Sequence, residues 1–572
     1  MRPASSPFLD DNTRDTRLGF RSTRPLLAAG LALGLLSAGA TTACSDDSNS
    51  PDNGAAGSSS SAGTGNQAGA DGAAQAGNDG AGAAGAAGAG GGASTFDVLE
   101  VADHVVTSAN DLRGLTYAAN GKIYASGHSS ADPENPELVL ARFDADGTLD
   151  EDFGEGGIVL FDVAAGQEQS LGIVELADGE LIVQANVADG NGGENTADQA
   201  GGDDMARPGG TNVVLLRFTS DGQLVTSFGT DGVALIEFGW PSASDGEWPA
   251  PTYDSSESGN SQWSWPGYPH DQSWGIALDN SGEEERIVIF GYGPAKVGEL
   301  DDGVQRLDND RYIVRVLAST GEPDPSFNEG EPLALNTLGT FSDGGRRGIV
   351  ERDGSIVSAG YTNFGDGFGN HVVLVRLNPD GTLDQEFGFG IPLPGTARFN
   401  PFLDDGGMTE AYDVGQQSSG RYVTTGYGRA TGTDMPSSYG YATTDGVDLV
   451  SFGVTSTGLD SAYGRTGTLA VQSEEHGLAS TEDRGRALVV LPNDHAVHAG
   501  RFGGDAALIV TTPDGELAAV GPDAGGVFRF PHDTIDSHFY AIALSPDGTR
   551  VAATTNNHDE GVRIAVLRVE LE

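Results

Sequence analysis

A short hairpin of alternating apolar and polar residues recurs along residues 95–572. Each copy is an apolar run, a turn with glycine or asparagine–aspartate, and a second apolar run. The seven copies are GLTYAANGKIYASG (114–127), GIVELADGELIVQA (172–185), GIALDNSGEEERIVIFG (275–291), GIVERDGSIVSAG (348–360), AYDVGQQSSGRYVTTG (411–426), ALVVLPNDHAVHAG (487–500) and AIALSPDGTRVAAT (541–554). Alternation around such a turn is typical of a β-hairpin. The pattern therefore predicts seven hairpins.

A third strand and a second turn follow each hairpin. The best-preserved copies are LVLARFDADGTLDEDFGEGG (138–157), VVLLRFTSDGQLVTSFGTDG (213–232) and VVLVRLNPDGTLDQEFGFG (372–390). The glycine after aspartate in each of these turns (Gly147, Gly222 and Gly381) is expected to adopt a positive φ. Each repeat thus supplies about four strands.

Four-stranded units repeated around an axis are typical of a β-propeller. We predict an all-β propeller over 95–572 with seven blades at approximately 95–150, 151–226, 227–324, 325–385, 386–449, 450–517 and 518–572. Six or eight blades are alternatives, because degenerate repeats are easily miscounted. An open solenoid is the competing architecture. The lack of a recognisable polar capping repeat argues against it.

The repeated phrase hhLhRhxxDGTLDxxFGxxG, in which h is apolar, resembles the delta-60 repeat, a family of predicted β-propellers from delta-proteobacteria. Arginine, Asp-Gly, Leu-Asp and Phe-Gly recur in register, most clearly from Leu138 to Gly390. The resemblance implies a propeller in an envelope or extracellular setting. It implies no activity, because the repeat is of unknown function.

Two sets of side chains recur at matching places in the repeats. Phenylalanines near the second turn are expected to pack between neighbouring blades: Phe153, Phe228, Phe327, Phe387 and Phe452. Arginines on the third or last strand are expected to form structural ion pairs, with Asp150 and Asp384 as partners: Arg142, Arg217, Arg376 and Arg568.

The N-terminal 43 residues have the pattern of a signal peptide, with basic residues followed by the apolar stretch 25–40 and then Cys44. The arrangement resembles a bacterial lipoprotein signal, which implies that Cys44 carries lipid, although Thr41 stands where leucine is usual. An ordinary secretory signal with an incidental cysteine is the alternative. The segment 44–94 is rich in Gly, Ala and Ser, and 45–94 lacks Val, Ile, Leu and aromatic residues, so a disordered tether is expected. We expect a monomer in the envelope of a Gram-negative bacterium, in the outer membrane, facing periplasm or exterior.

The composition of the chain argues against certain ligands and metal sites. Acidic residues number 83 against 30 basic ones, a net charge of −53, which argues against nucleic-acid binding. A single cysteine excludes zinc sites built on several thiolates. No cofactor is expected. Asp144, Asp146 and Asp150 are weak calcium candidates, because calcium prefers oxygen ligands, but the segment lacks an EF-hand spacing.

One insertion, residues 239–274, carries all five tryptophans of the chain. Its candidate ligand-binding residues are Trp240, Trp248, Tyr253, Trp263, Trp265 and Tyr268. Aromatic rings with a polar edge suit sugar rings or extended peptides. The alternative is a proline-rich loop whose rings pack on one another over the mouth of the propeller. Trp274 aligns with the hairpin and is expected in the core.

These observations favour a non-enzymatic, lipid-anchored propeller that binds a carbohydrate, a peptide or another envelope protein. An envelope hydrolase or lyase that acts on glycans in the central funnel is the alternative. No familiar catalytic motif appears in a suitable context, so enzyme activity stays uncertain and is the less favoured hypothesis.

Overall fold

The computed structural model describes residues 96–106, 111–129, 136–163, 168–188, 211–238, 252–253, 263–264, 271–294, 309–337, 343–363, 370–402, 407–429, 446–478, 482–521, 525–531, 537–555 and 561–571. All of them belong to one compact unit of the chain. The predicted signal peptide, Cys44 and the predicted tether lie outside these residues. Within them, no helix has both the length and the apolar character needed to cross a membrane.

Seven sheets of four or five strands are the blades of a β-propeller, and all their strand pairs are antiparallel except one short pair at the edge of blade 4. Blade 1 contains β2 (Asp111–Tyr117), β3 (Ile123–His128), β4 (Leu138–Phe143) and β5 (Ile158–Phe161). Blade 2 contains β6 (Glu168–Glu175), β7 (Leu181–Ala188), β8 (Thr211–Phe218) and β9 (Val233–Ile236). A small ladder, β10 (Thr252–Tyr253) with β11 (Trp263–Ser264), precedes blade 3. Blade 3 contains β12 (Gln272–Asp279), β13 (Arg286–Pro294), β14 (Asn309–Leu317) and β15 (Leu333–Leu335).

The remaining blades vary in their outer strands. Blade 4 contains β16 (Asp343–Val350), β17 (Ile356–Asn363), β18 (Asn370–Leu377), β19 (Gly388–Phe389) and β20 (Thr396–Phe399). Blade 5 contains β21 (Met408–Gln416), β22 (Tyr422–Arg429), β23 (Asp448–Thr455), β24 (Gly458–Leu459) and β25 (Thr468–Val471). Blade 6 contains β26 (Arg484–Val490), β27 (Ala496–Phe502), β28 (Asp505–Thr511) and β29 (Val527–Phe530). Blade 7 contains β30 (Phe539–Leu544), β31 (Arg550–Thr555), β32 (Val562–Leu571) and β1 (Phe96–Val106). Short 3-10 turns occupy Asn328–Gly330 and Ser473–His476.

The ring closes because blade 7 combines strands from both ends of the described chain. β1 pairs antiparallel with β32 from Phe96 opposite Leu571 to Val106 opposite Val562. The seven-bladed propeller is therefore confirmed, and the open solenoid is wrong. The approximate blade limits differ from the sheets, however. The strand Ile158–Phe161, which those limits assign to the second blade, pairs with Leu138–Phe143 of the first.

The turns follow the expected backbone geometry. Gly147, Gly222 and Gly381 all have positive φ, at 86°, 76° and 86°. In the hairpin turn of blade 6, Asp494 takes the corresponding conformation with φ 66°. Aspartate is one of the few residues other than glycine that adopts it readily.

Aromatic rings join neighbouring blades, as the sequence predicted. Phe153, Phe228, Phe327 and Phe387 are each at most 3% exposed. A Cβ atom added to Gly222, in the second turn of blade 2, would lie 2.7 Å from Cζ of Phe153 in blade 1. Only glycine allows the ring so close. The same contact joins Phe228 to the glycine turn of blade 3.

Phe452 also packs between blades, edge-on against Phe399 of blade 4 with ring centres 5.1 Å apart, but it lies within β23 and not at the second turn. Tyr463 takes the anchor position of blade 5. Its ring is fully buried, and a Cβ added to Gly515 of blade 6 would lie 2.6 Å from its Cε1 atom.

Arg142, Arg217 and Arg376 form ion pairs, with some differences in partner. Arg142 Nε lies 2.8 Å from Oδ2 of Asp150, and Arg376 pairs with Asp384. Arg217 pairs instead with Glu180 in the hairpin turn of its own blade, at 2.5 Å. Arg568 lies on β32 opposite Arg550.

We predict that Phe228→Ala lowers the free energy of unfolding by about 3–5 kcal/mol, because it empties a packed site between two blades. Chemical denaturation of the full chain measures this loss. Leu235→Ala in the same blade is the matched control, since Leu235 is 46% exposed. It should cost less than about 1 kcal/mol. Equal losses for the two variants would contradict an anchoring role for the ring.

Candidate binding site at the central channel

The innermost strand of every blade contains a β-bulge at the same place. In each bulge the register between the first and second strands skips at least one residue of the innermost strand. The skipped residues are Arg113, Leu171, Trp274, Arg346 with Arg347, Tyr412, Arg486 and Tyr540. We call these eight residues the bulge ring. Bulges redirect side chains, and this set lies around the propeller axis.

Small residues after the bulges let the innermost strands approach one another. A Cβ added to Gly172 would lie 2.9 Å from Cγ1 of Ile276 in blade 3, and one added to Gly275 would lie 3.1 Å from Cγ of Arg347. The axis is therefore crowded at this level, and the bulge ring fills it.

Arg347 crosses the channel. It belongs to blade 4, and its Nη2 donates hydrogen bonds to the carbonyl oxygens of Arg113 in blade 1 (3.1 Å) and Tyr540 in blade 7 (2.9 Å). Burial lowers the pKa of this guanidinium, while the charge of Asp413 acts in the opposite direction. One side chain thus links three blades.

Elsewhere in the bulge ring, arginine side chains lie over the aromatic rings of neighbouring residues. The guanidinium carbon of Arg113 lies 4.2 Å from the centre of the Tyr540 ring. That of Arg486 lies 4.5 Å from the Tyr412 ring and 5.1 Å from the Tyr540 ring. Arg113 also pairs with Asp111 at 2.6 Å. Burial lowers the pKa of Arg113 to about 10, and the nearby charges of Arg486 and Arg347 contribute to the decrease.

The side chain of Arg346 lies beside the channel, between aromatic rings and a glutamate. Its guanidinium carbon lies 3.9 Å from the Trp274 ring and 4.6 Å from the Tyr412 ring, and its Nε lies 2.6 Å from Glu410 Oε1. Glu410 in turn accepts a hydrogen bond from the Tyr427 hydroxyl at 2.8 Å. Arg346 is therefore the cation that fills an aromatic cage formed by the protein's own side chains.

The remaining space in the channel at this level is small. A cavity of about 10 Å³ lies among Leu171, Trp274, Arg347, Tyr412, Arg486 and Tyr540. This is room for about one water molecule. The expected funnel is therefore filled at the level of the bulge ring.

The tryptophan-rich insertion joins the propeller beside this ring. Because the strands of each sheet are antiparallel, the innermost strands start on the face where the outermost strands end, and we call it the loop face. The backbone N–H of Phe238, just before the insertion, donates to Oδ2 of Asp271, near the end of the insertion, at 3.0 Å. The backbone N–H of Asp271 donates to the carbonyl of Thr211 at 3.1 Å. These contacts hold the two ends of the insertion together on the loop face.

The structure locates only part of the predicted binding loop. Tyr253 and Trp263 lie directly opposite each other in the β10–β11 ladder. Trp240, Trp248, Trp265 and Tyr268 lie outside the described residues. The prediction that they bind a ligand stays a prediction.

Trp274 packs as predicted and also has a second role that was not predicted. It is half-buried and packs edge-on against Tyr412, with ring centres 6.0 Å apart, so it contributes to a cluster of apolar side chains as expected. It also lines the channel cavity, because the bulge turns it toward the axis. The sequence pattern alone did not show this second position.

The three calcium candidates have partners within the protein. The ammonium of Lys122 lies 2.7 Å from Oδ1 of Asp144 and 2.7 Å from Oδ2 of Asp150. The hydrogen bond from Lys122 to Asp150 is the largest of the effects that lower the pKa of Asp150. Asp146 accepts the backbone N–H of Thr148 at 3.0 Å. A calcium ion would have to displace Lys122, and calcium binding here stays an untested prediction.

Among the residues that the structure describes, no group of three or more His, Cys, Asp or Glu side chains is arranged to hold a metal ion.

Known proteins were compared with the chain at the level of sequence and structure. A family model described as a domain of unknown function (DUF5122) beta-propeller matches residues 118–153 and 351–387. The chain is a β-propeller repeat protein. No curated protein matches its sequence.

Two solved structures are similar to the chain at low identity. A chain in a structure entitled "Crystal Structure of Mitotic Checkpoint Complex" is 12% identical, with a TM-score of 0.35, over 82% of this chain and 94% of that one. A second, entitled "Crystal structure of RRP9 WD40 repeats", is 9% identical, with a TM-score of 0.36, over 84% of this chain and 100% of that one.

We predict that Asp271→Asn removes a pH dependence of stability from the base of the insertion. Burial raises the pKa of Asp271 to about 7, so the folded state holds a proton that the unfolded chain releases near pH 3.8. Stability from this group is therefore greatest at low pH and decreases as pH rises toward 7, by at most about 1.4 kcal/mol per pH unit.

Denaturation of the full chain between pH 4 and 8 tests this. The wild-type protein should lose stability relative to Asp271→Asn as pH rises. Asp178→Asn, at an exposed hairpin turn, is the control and should follow the wild type. Parallel curves for the wild type and Asp271→Asn would show that Asp271 is already ionised in the folded protein.

Proposed function

We propose that this protein is a non-enzymatic binding module that recognises its ligand on the loop face, with the tryptophan-rich insertion as the main contact. The observation that carries the proposal is the base of this insertion. Phe238 and Asp271 hold its ends together at 3.0 Å, directly before the channel-lining Trp274.

The position of the insertion favours recognition over a purely structural role. A loop with joined ends leaves the propeller at one place and presents its residues as a unit, as binding loops on rigid scaffolds do. The backbones of Tyr253 and Trp263 are paired within a ladder, so two of the aromatic positions are held in one register. Prolines within the loop reduce the entropy lost on binding.

The chemistry of the insertion suggests the ligand class. Tryptophan and tyrosine combine a flat apolar face with one hydrogen-bonding group, which suits a sugar ring or an extended peptide of another envelope protein. The net charge of −53 opposes strongly anionic polymers at low salt. A neutral or cationic surface is therefore the preferred partner.

The alternative of an envelope hydrolase or lyase acting on glycans places its active site in the central funnel. The bulge ring fills the channel at its level and leaves a cavity of about 10 Å³, far smaller than a sugar ring. This observation favours the binding module.

We predict that replacing residues 240–268 with a short Gly-Ser linker lowers affinity for the ligand at least about tenfold, because most of the aromatic contact area is removed. A screen of the full chain against envelope glycans and peptides identifies the ligand, and titration of both variants measures the change. The contact between Phe238 and Asp271 is retained, so the linker joins ends that already meet.

The matched control replaces residues 296–307, a connection on the same face of blade 3 that has no tryptophan, with the same linker. This variant should bind as the wild type does. Unchanged affinity after replacement of 240–268 would refute the loop as the binding site. A folded protein that binds nothing in the screen would favour a scaffold.

We also propose that the protein is anchored in the envelope by lipid on Cys44, with residues 44–94 as a tether. The order of basic residues, apolar stretch and cysteine supports the anchor, and the lack of bulky apolar residues supports the tether. An anchored domain on a tether of about 50 residues would reach roughly 40 Å from the membrane surface.

We predict that Cys44→Ser abolishes incorporation of a labelled fatty acid and releases the protein from membranes. Lipidation requires the thiol of that cysteine, and the chain has no other. Ser45→Ala is the control and should be labelled normally. Labelling that persists in Cys44→Ser would exclude this anchor without bearing on the binding loop.

A further inference from the structure

Three guanidinium groups from different blades meet around the axis. Arg113, Arg347 and Arg486 come from blades 1, 4 and 6. Arg113 and Arg486 lie over the same Tyr540 ring, 4.2 and 5.1 Å from its centre, and Arg347 donates to the carbonyl oxygens of Arg113 and Tyr540. Like charges repel strongly away from water, so an anion among them would stabilise the arrangement.

The cavity of about 10 Å³ lies within this group of cations. Arg347 and Arg486 line it, together with Leu171 and three aromatic residues, and no acidic side chain is part of its wall. Asp111 pairs with Arg113, and the charge of Asp413 acts on Arg347, from outside this wall. The cavity itself is faced by two guanidinium groups and by no carboxylate. The long side chains of the two arginines place these charges at the axis itself.

Trp274 supplies a hydrogen-bond donor without an acceptor. Its Nε1 is buried and has no hydrogen-bond partner among the described residues. A buried donor left without an acceptor costs about 1–3 kcal/mol. An acceptor in the adjacent cavity would remove this cost, and indole N–H groups donate but do not accept.

We propose that the channel cavity is a binding site for one small monovalent anion, such as chloride or bromide. The anion would lie near the guanidinium groups of Arg347 and Arg486 and accept the N–H of Trp274. The cavity admits an object about the size of one water molecule, which excludes sulfate, phosphate and organic carboxylates. Water would satisfy the N–H of Trp274, but it would not offset the positive charge.

Such an anion would stabilise the ring across its axis. Arg347 already links blade 4 to blades 1 and 7 through two carbonyl groups, and the anion would link it to blades 3 and 6 as well. The site would thus be a structural one, independent of ligand recognition by the insertion. Binding to the folded state alone raises its stability as the anion concentration increases.

The test is thermal unfolding of the full chain in sodium chloride, sodium bromide and sodium gluconate at equal ionic strength. Gluconate is the reference because it is too large for the cavity. We expect the melting temperature to rise with chloride or bromide concentration relative to gluconate, following a single-site binding curve. Identical melting in all three salts would overturn the proposal.

Trp274→Phe tests the contact itself, because it removes the N–H and keeps an aromatic ring beside Arg346. It should weaken the apparent anion affinity at least about tenfold, the value of one hydrogen bond to a charged group. Tyr124→Phe, which removes a hydroxyl hydrogen bonded to the carbonyl of Ser220 away from the cavity, is the matched control and should retain the wild-type curve. An unchanged anion effect in Trp274→Phe would remove Trp274 from the site and overturn the proposal as stated.

Anomalous diffraction from crystals of the wild-type protein in bromide gives a readout that needs no variant. A peak between Arg347, Arg486 and Trp274 is expected. A peak that appears only at soaking concentration, with no bromide effect on melting, would identify an adventitious ion and reject a functional site. The absence of any peak there would also reject it.

Discussion

The contact between an aromatic ring in one blade and a turn glycine in the next determines how the blades are arranged. A Cβ on the glycine would lie 2.6–3.0 Å from the ring at four junctions, those of blades 1 and 2, 2 and 3, 3 and 4, and 5 and 6, so the ring and the backbone are in direct contact there. A backbone hydrogen bond accompanies the contact. For example, Gly229 N–H donates to the carbonyl of Thr320 at 3.1 Å. The same geometry therefore repeats from blade to blade, and a constant rotation between units is what closes a ring.

Closure of that ring determines the central channel. Seven strands that converge on one axis leave space for few side chains, and the bulges decide which ones enter it. Glycine or another small residue follows each bulge except in blade 5, where Asp413 takes this place. Burial raises the pKa of Asp413 to about 6, and its carboxylate accepts the N–H of Leu488 in blade 6 at 3.0 Å. In blade 5, a hydrogen bond from Leu488 to Asp413 thus replaces the close approach that a small residue allows in the other blades.

Arginines are concentrated at the channel of a protein that is otherwise strongly acidic. Four of its 30 basic residues lie in the bulge ring. Arginine suits this place, because its planar group can stack on an aromatic ring while its N–H groups donate to carbonyl oxygens. Arg486 stacks and Arg347 donates, and both line the same small cavity. The side chains that fill the channel are therefore also those that give it its charge.

Local features of this fold could be predicted from the sequence, and features that depend on several blades could not. The hairpins, the turn glycines and the anchors Phe153 and Phe228 are set by short-range patterns that recur in register. The outer strand Ile158–Phe161 has only four residues, so the sequence did not show which sheet it joins. Tyr463 was not predicted as an anchor because the repeated pattern contains phenylalanine there, whereas the position requires only an aromatic ring. A signal for most of the bulge ring was present, since Arg113, Leu171 and five others directly precede or fall within the aligned hairpin copies. Their convergence is a property of the closed ring.

The two faces of the propeller differ in how much their connections vary, and this difference bears on where recognition takes place. The hairpin turns on one face repeat almost without change. Gly121, Gly179 and Gly420 each donate to the carbonyl three residues earlier at 2.9 Å. The loop face instead carries connections of very different length, including 189–210, 239–270 and 430–445. Because the blades require only that these connections return to the next strand, their sequences are free to serve another purpose. The rigid ring fixes where the connections start and end, and their side chains can then determine what is bound.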